Sequence, residues 1–297
     1  MAPALALILS LLALGYLARR LSLFPANAAE VLNLFVIDLC VPATLLRLIP
    51  NLEMRWELLA LIAIPWLLAL LAWLVSRLAA RVLGLDRATQ TALFLCTAIG
   101  NTSFLGYPLC SALLGEESLP RAAVYDQLGS FLMMSTLAPI AVARSAGTTQ
   151  PTLRETLKRV LQFPPFIALL VAIVPWPRPA FLDAVLQQVA AALVPLAIFA
   201  VGLRLRITPP RPLSPFVLGL GVKLGLMPLA ALGLAALFAP PAQVFEVAVL
   251  ESAMPASITA GAMAMAAGLA PELVAALVGW GVVAALVTVP LWAALLR

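Results

Sequence analysis

Ala98-Ile-Gly-Asn-Thr-Ser-Phe-Leu-Gly-Tyr-Pro108 lies inside an apolar run from about residue 91 to residue 114. It reads poorly as continuous helix, because Gly100, Gly106 and Asn101 lower helix propensity and Pro108 also removes a backbone donor. A second run, from about residue 244 to residue 267, is interrupted by Glu251-Ser-Ala-Met-Pro-Ala-Ser-Ile-Thr-Ala-Gly261. The two interruptions stand about half the chain apart. In hydrocarbon an unpaired backbone N–H or C=O costs several kcal/mol, so a broken helix persists only where it lines a site.

The rest of the chain makes hydrocarbon its natural solvent. Of 297 residues, 64% are hydrophobic and 10% charged, where soluble domains carry about a quarter charged. There is room for roughly ten membrane helices of about 20 residues, and no linker or low-complexity tail sets off a soluble domain. The N-terminus lacks a basic leader, and its apolar run ends at Arg19-Arg20 rather than at a cleavage site, which predicts a retained first span. Cys40, Cys96 and Cys110 all fall in apolar segments and read as small hydrophobes. With no histidine and no Gly-rich phosphate loop, no catalytic set, metal centre or nucleotide-driven pump is indicated, so no enzyme and no cofactor is expected.

Apolar runs between charged or turn-rich breaks predict an all-α integral membrane protein of ten spans. They lie near 3–18, 29–49, 57–77, 89–114, 121–143, 161–176, 184–203, 213–239, 243–267 and 273–295. The sixth is short and proline-rich (Pro164, Pro165, Pro175, Pro177). Basic residues alternate between the loops. One side holds Arg19, Arg20, Arg77, Arg81, Arg87, Arg144, Arg154, Lys158, Arg159, Arg204, Arg206 and Arg211, and the other Arg47, Arg55, Arg121, Arg178 and Arg297. This is why the overall positive charge reads as membrane orientation and not as nucleic-acid binding. The positive-inside rule then puts both termini outside the cytoplasm, with lipid as the chain's surroundings.

Ten spans divide into five and five, residues 1–148 and 149–297, and an odd number per half forces opposite orientations, an inverted repeat. Pro42 and Pro195 are 153 residues apart, as are Gln90 and Gln243, and Gly115 and Gly268. Interrupted spans in corresponding positions of two halves point to a binding centre of the secondary-transporter kind.

A half-helix starting at Asn101 would offer its first N–H groups and the positive end of its dipole, and the Asn101 amide can itself donate to a ligand oxygen. Pro255 would release the Glu251 carbonyl four residues back and start a second half-helix near Ala256. Two such ends suit a carboxylate. The candidate substrate residues are therefore Asn101, Thr102, Ser103, Pro255, Ala256, Ser257 and Thr259, with Gly100, Gly106, Pro108 and Pro255 shaping the crossover. Glu251, deep in its span, is the candidate for a coupling Na⁺ or proton, or else for an ion pair with Lys223. Asp38 stands four residues before Pro42 as Glu251 stands before Pro255, and belongs either to the substrate cavity or to packing. Asp126, beside Tyr125, Gln127 and Ser130, is either a cation ligand near Asn101 or an interfacial acid near Arg121.

The element Asn101-Thr-Ser-Phe-Leu-Gly-Tyr-Pro108 resembles the fourth helix of the auxin efflux carrier family, whose bacterial members are described as malate or malonate permeases. Val249-Leu-Glu-Ser-Ala-Met-Pro-Ala256, Leu193-Val-Pro-Leu-Ala-Ile-Phe-Ala-Val-Gly202 and Val222-Lys-Leu-Gly-Leu-Met-Pro228 are similar to its ninth, seventh and eighth helices. The resemblance implies ten helices in two inverted repeats, with helices four and nine crossing at the midplane. It also implies a scaffold from spans 1, 2, 6 and 7, a moving domain from spans 3–5 and 8–10, and a homodimer. The long central loop of the plant carriers is missing here; only residues 146–160 stand in its place, which argues against auxin as substrate.

Together these readings predict a carrier of a small organic anion in a bacterial inner membrane, coupled to Na⁺ or H⁺. A sodium/proton antiporter or bile-acid-type sodium symporter, and a ligand-binding sensor without flux, are the alternatives.

Overall fold

A computed structural model describes residues 2–53, 56–174 and 177–296; Arg55, Pro175 and Arg297, used above in the charge and span readings, lie outside the described residues. Among the described residues all regular structure is helical apart from one isolated antiparallel bridge. In chain order the helices are α1 (Ala2–Arg20), α2 (Ala28–Asn51), α3 (Leu59–Leu83), α4 (Arg87–Ala98), α5 (Thr102–Leu114), α6 (Glu116–Ala146) and α7 (Leu153–Leu161). They continue with α8 (Pro164–Ile173), α9 (Ala180–Arg204), α10 (Leu213–Phe238), α11 (Ala242–Ser252), α12 (Ile258–Ala266) and α13 (Pro271–Leu295). Helices dominate because an apolar Leu/Ala chain in lipid must satisfy its backbone internally.

Seven of these, α1, α2, α3, α6, α9, α10 and α13, are long and apolar enough to cross a membrane; α7 and α8, bent by 68°, make an eighth if counted as one span. The remaining apolar helices, α4–α5 and α11–α12, are the two interrupted runs. α7 falls in the stretch read from sequence as loop. A reciprocal capping box starts it: the Thr152 N–H donates to Glu155 Oε2 at 2.7 Å, and the Glu155 N–H to Thr152 Oγ1 at 3.2 Å.

Four helices contain a widened π turn, at Val36–Cys40, Thr102–Gly106, Asp126–Phe131 and Val222–Leu226. Three of these run directly into an X-Pro pair, Val41-Pro42, Tyr107-Pro108 and Met227-Pro228. A helical proline lacks an N–H and crowds the carbonyl four residues back, and a wider turn relieves both problems. The orphaned Leu224 carbonyl, four before Pro228, accepts from Trp292 Nε1 at 3.0 Å instead.

The chain divides into two compact units. The first comprises Met1–Arg55, Ser103–Ala123 and Leu157–Leu205. In it α1 and α9 touch backbone to backbone: a Cβ on Gly15 would lie 2.3 Å from the Phe199 carbonyl oxygen, and one on Gly202 2.4 Å from that of Leu12. It also carries a half-open cavity of about 840 Å³ walled by residues that include Thr44, Arg47, Pro108, Glu116, Gln187 and Pro195. The second unit comprises Trp56–Thr102, Val124–Thr156 and Arg206–Arg297. There Gly129 lets the π turn of α6 sit on Pro65, and Trp66 Nε1 donates to the Leu128 carbonyl at 3.0 Å.

Candidate functional site

Within the second unit the two interruptions meet. α4 ends at Ala98 and α11 at Ser252, and the extended backbone that follows each pairs antiparallel at Gly100 and Ala256. The Asn101 N–H donates to the Pro255 carbonyl at 2.8 Å, and the Ser257 N–H to the Ile99 carbonyl at 2.9 Å. Ile99, Asn101, Thr102, Met254, Ala256 and Ser257 are all buried there. Residues that interrupt their own helices thus satisfy each other's backbone, as an apolar surrounding demands.

Two helices begin immediately beyond the bridge, α5 at Thr102 and α12 at Ile258, each two residues past its bridged residue. Their first N–H groups precede any acceptor in their own helix, and each carries the positive end of a helix dipole. Ser257 caps α12, its Oγ accepting from the Ala260 N–H at 3.3 Å while its hydroxyl hydrogen stays available to donate. The buried Asn101 Nδ2 has no acceptor among the described residues. Such a donor normally finds a partner.

Asp126 closes the arrangement from α6. One carboxylate oxygen accepts from the Thr102 hydroxyl and the other from Gln127 Nε2 at 2.8 Å. Asp126 is therefore a buried partner of the residue next to Asn101 and not an interfacial acid beside Arg121. Behind Gly100 lies Lys223, on the π turn of α10. Its Nζ donates to the Ser252 carbonyl at 3.4 Å, and a Cβ on Gly100 would sit 3.3 Å from it. Glu251, fully buried at the end of α11, is within electrostatic reach of both Lys223 and the Tyr125 phenol.

Two details differ from the sequence reading. The Glu251 carbonyl is not released by Pro255, because it accepts from the Met254 N–H at 3.2 Å as the last turn of α11 tightens. The second half-helix begins at Ile258 rather than Ala256, since Ala256 is held extended by the bridge. The remaining candidates divide as follows. Thr259 is on the first turn of α12 but exposed. Ser103, Gly106 and Pro108 belong to the first unit, Ser103 half-buried and Pro108 on its cavity wall. Asp38, in the π turn of α2, is also in the first unit and exposed. The π turns themselves were missed from sequence, although three of the four charges deep in helices, Asp38, Asp126 and Lys223, ride on them. The prolines that follow two of these three turns were the available sign.

A mostly apolar helical chain with two broken helices tied together around buried polar groups defines a polytopic membrane protein with an internal polar centre. Residues 2–293 match the family described as Membrane transport protein, and the chain belongs to that family, in agreement with its resemblance to auxin efflux carriers. It is 29% identical over 295 residues to an uncharacterized transporter of Methanothermobacter thermautotrophicus, covering 97% of this chain and 96% of that one. A second uncharacterized transporter, from Methanocaldococcus jannaschii, is 27% identical over 232 residues, 74% of this chain and 71% of that one. Its place is accordingly in a membrane and its family's task is transport.

Proposed function

We propose that the protein is a secondary transporter, carrying a small organic anion, a mono- or dicarboxylate, across the inner (plasma) membrane by elevator-type alternating access, as a homodimer and with a proton as coupling ion. One observation carries the anion assignment: the unpartnered, buried Asn101 Nδ2 stands beside two helix N-termini that begin two residues past a shared bridge. Together they concentrate hydrogen-bond donors and positive potential, and a carboxylate answers both.

Counting α4–α5 and α11–α12 as one span each, with α8 as a short sixth crossing, gives ten crossings, and the alternation of basic loops then favours both termini outside. Symmetry between the halves is supported by Gly115 and Gly268, 153 residues apart, which follow α5 and α12 with φ of 97° and 72°. The proton reading rests on Glu251, an acid buried in the interior of an apolar span. It lies within electrostatic reach of the buried Lys223, and a buried acid near a buried amine can take up and release a proton with no need of a cage of oxygen ligands.

The test is uptake of radiolabelled dicarboxylates into proteoliposomes. Saturable uptake that persists when choline replaces Na⁺, collapses with a protonophore and needs much more substrate to saturate in Asn101→Ala is expected. Undiminished transport by Asn101→Ala would sink the assignment of the anion site.

A further inference from the structure

Between α6 and α8 the chain carries a feature that transport at the crossover does not use. α7, Leu-Arg-Glu-Thr-Leu-Lys-Arg-Val-Leu from Leu153 to Leu161, is sharply two-faced. At about 100° per residue, Thr156, Val160, Leu153, Leu157 and Leu161 share one arc, and Arg154, Lys158, Glu155 and Arg159 the other. The apolar arc is itself divided. Thr156 and Val160 are 9% and 8% exposed, whereas Leu153, Leu157 and Leu161 are 75%, 49% and 55% exposed. The open leucines are bordered on their free side by Arg154 and Lys158, and Glu155 is held in the capping box with Thr152.

Two residues beyond Leu161 the chain bends by 68° into α8, whose outward Ile167, Leu170, Val171 and Ile173 suit hydrocarbon. A bend of that size turns a helix from crossing a bilayer toward lying along its surface. It leaves α7 tethered at the depth where α8 enters lipid.

We propose that α7 is an interfacial helix that docks on anionic phospholipid headgroups. Leu153, Leu157 and Leu161 insert at the boundary of headgroup and acyl chain, and Arg154, Lys158 and Arg159 reach the phosphates at its rim. An open leucine stripe next to a basic one, on a short tether from a lipid-embedded helix, fits a charged lipid surface in both shape and sign. The connection between the two halves of the chain is thereby fixed to the membrane.

The full-length protein in nanodiscs tests this. Single cysteines at Leu157, Leu161 and, on the polar face, Glu155 carry an environment-sensitive fluorophore; native Cys40, Cys96 and Cys110 are buried. In discs containing phosphatidylglycerol, labels at 157 and 161 should be quenched by lipids brominated high on the acyl chain and shielded from iodide, with the reverse at 155. Replacing phosphatidylglycerol by phosphatidylcholine, or Arg154, Lys158 and Arg159 by Gln, should weaken docking about fivefold per charge removed, read as lost bromolipid quenching. Iodide quenching at 157 equal to that at 155 overturns the proposal. So does shielding from both quenchers, which would mean that a second copy or another protein covers the stripe. Quenching independent of lipid charge overturns the headgroup assignment.

Discussion

Asn101 combines two duties that are usually separate. Its backbone N–H holds the bridge to Pro255, while its side-chain Nδ2 finds no acceptor among the described residues. Asn101→Ala keeps the first and deletes the second. Apparent substrate affinity should fall roughly 10- to 150-fold, the worth of one buried hydrogen bond to a charged ligand. The melting temperature of the empty protein should hardly move, because the deleted donor had no partner to lose; measuring both quantities on one preparation checks the split. Asp86 shows the opposite kind of residue, structural and exposed. It caps α4, accepting from the Thr89 N–H at 2.7 Å. Hydrogen bonds from Thr89, through its side chain and then its backbone N–H, hold the Asp86 carboxyl below the usual carboxylate range. A carboxyl depressed in the folded state contributes stability above its unfolded pKa, and that contribution is lost as pH falls through the lowered folded value. Asp86→Ala should therefore cost about 1 kcal/mol near neutrality, and melting curves of the two proteins should converge in acid.

At the scale of the element, prolines and glycines write most of the geometry. Gly15 and Gly202 let α1 and α9 meet with no side chain between them. Gly202→Ala would drive a methyl group into the Leu12 carbonyl. The helix pair must part, at a cost of about 1–3 kcal/mol, visible as a lowered melting temperature in detergent while Gly221→Ala, with open space around its Cβ, serves as control. The interruptions at Gly100 and Pro255 were legible in sequence, because nothing but a lined site tolerates such residues in lipid. The π turns were not. Proline says where a helix is strained, not whether it kinks, widens or simply bends, and Pro65 inside α3 and Pro290 inside α13 carry no widened turn. α7 was hidden for another reason: Thr152 and Glu155 form a capping box, yet the charged face that follows resembles a solvated loop when read for hydropathy alone.

For the whole molecule, the motifs at residues 101–108, 193–202, 222–228 and 249–256 carried the family resemblance, and the chain belongs to that family. That contacts gather the chain into two units, each drawing on three separate stretches, is not written in the residue pattern, since it depends on packing between distant segments; only the family resemblance implied units built from non-adjacent spans. The ten-crossing count has its own test. With an impermeant maleimide on intact cells, Asn51→Cys and Glu117→Cys should label from outside, and Asp86→Cys and Gln150→Cys only after permeabilisation. Labelling of Gln150→Cys from outside would mean that one helix has been miscounted.

The two backbone hydrogen bonds that weld Asn101 to Pro255 and Ser257 to Ile99 involve no cargo atom. If the centre binds an anion as proposed, neither bond has to break for the anion to enter or leave. On that reading the empty centre is expected to return without a second molecule. Vesicles containing no internal substrate should accumulate label as readily as preloaded ones, and a strict requirement for preloading would show that the vacant centre is not so self-sufficient.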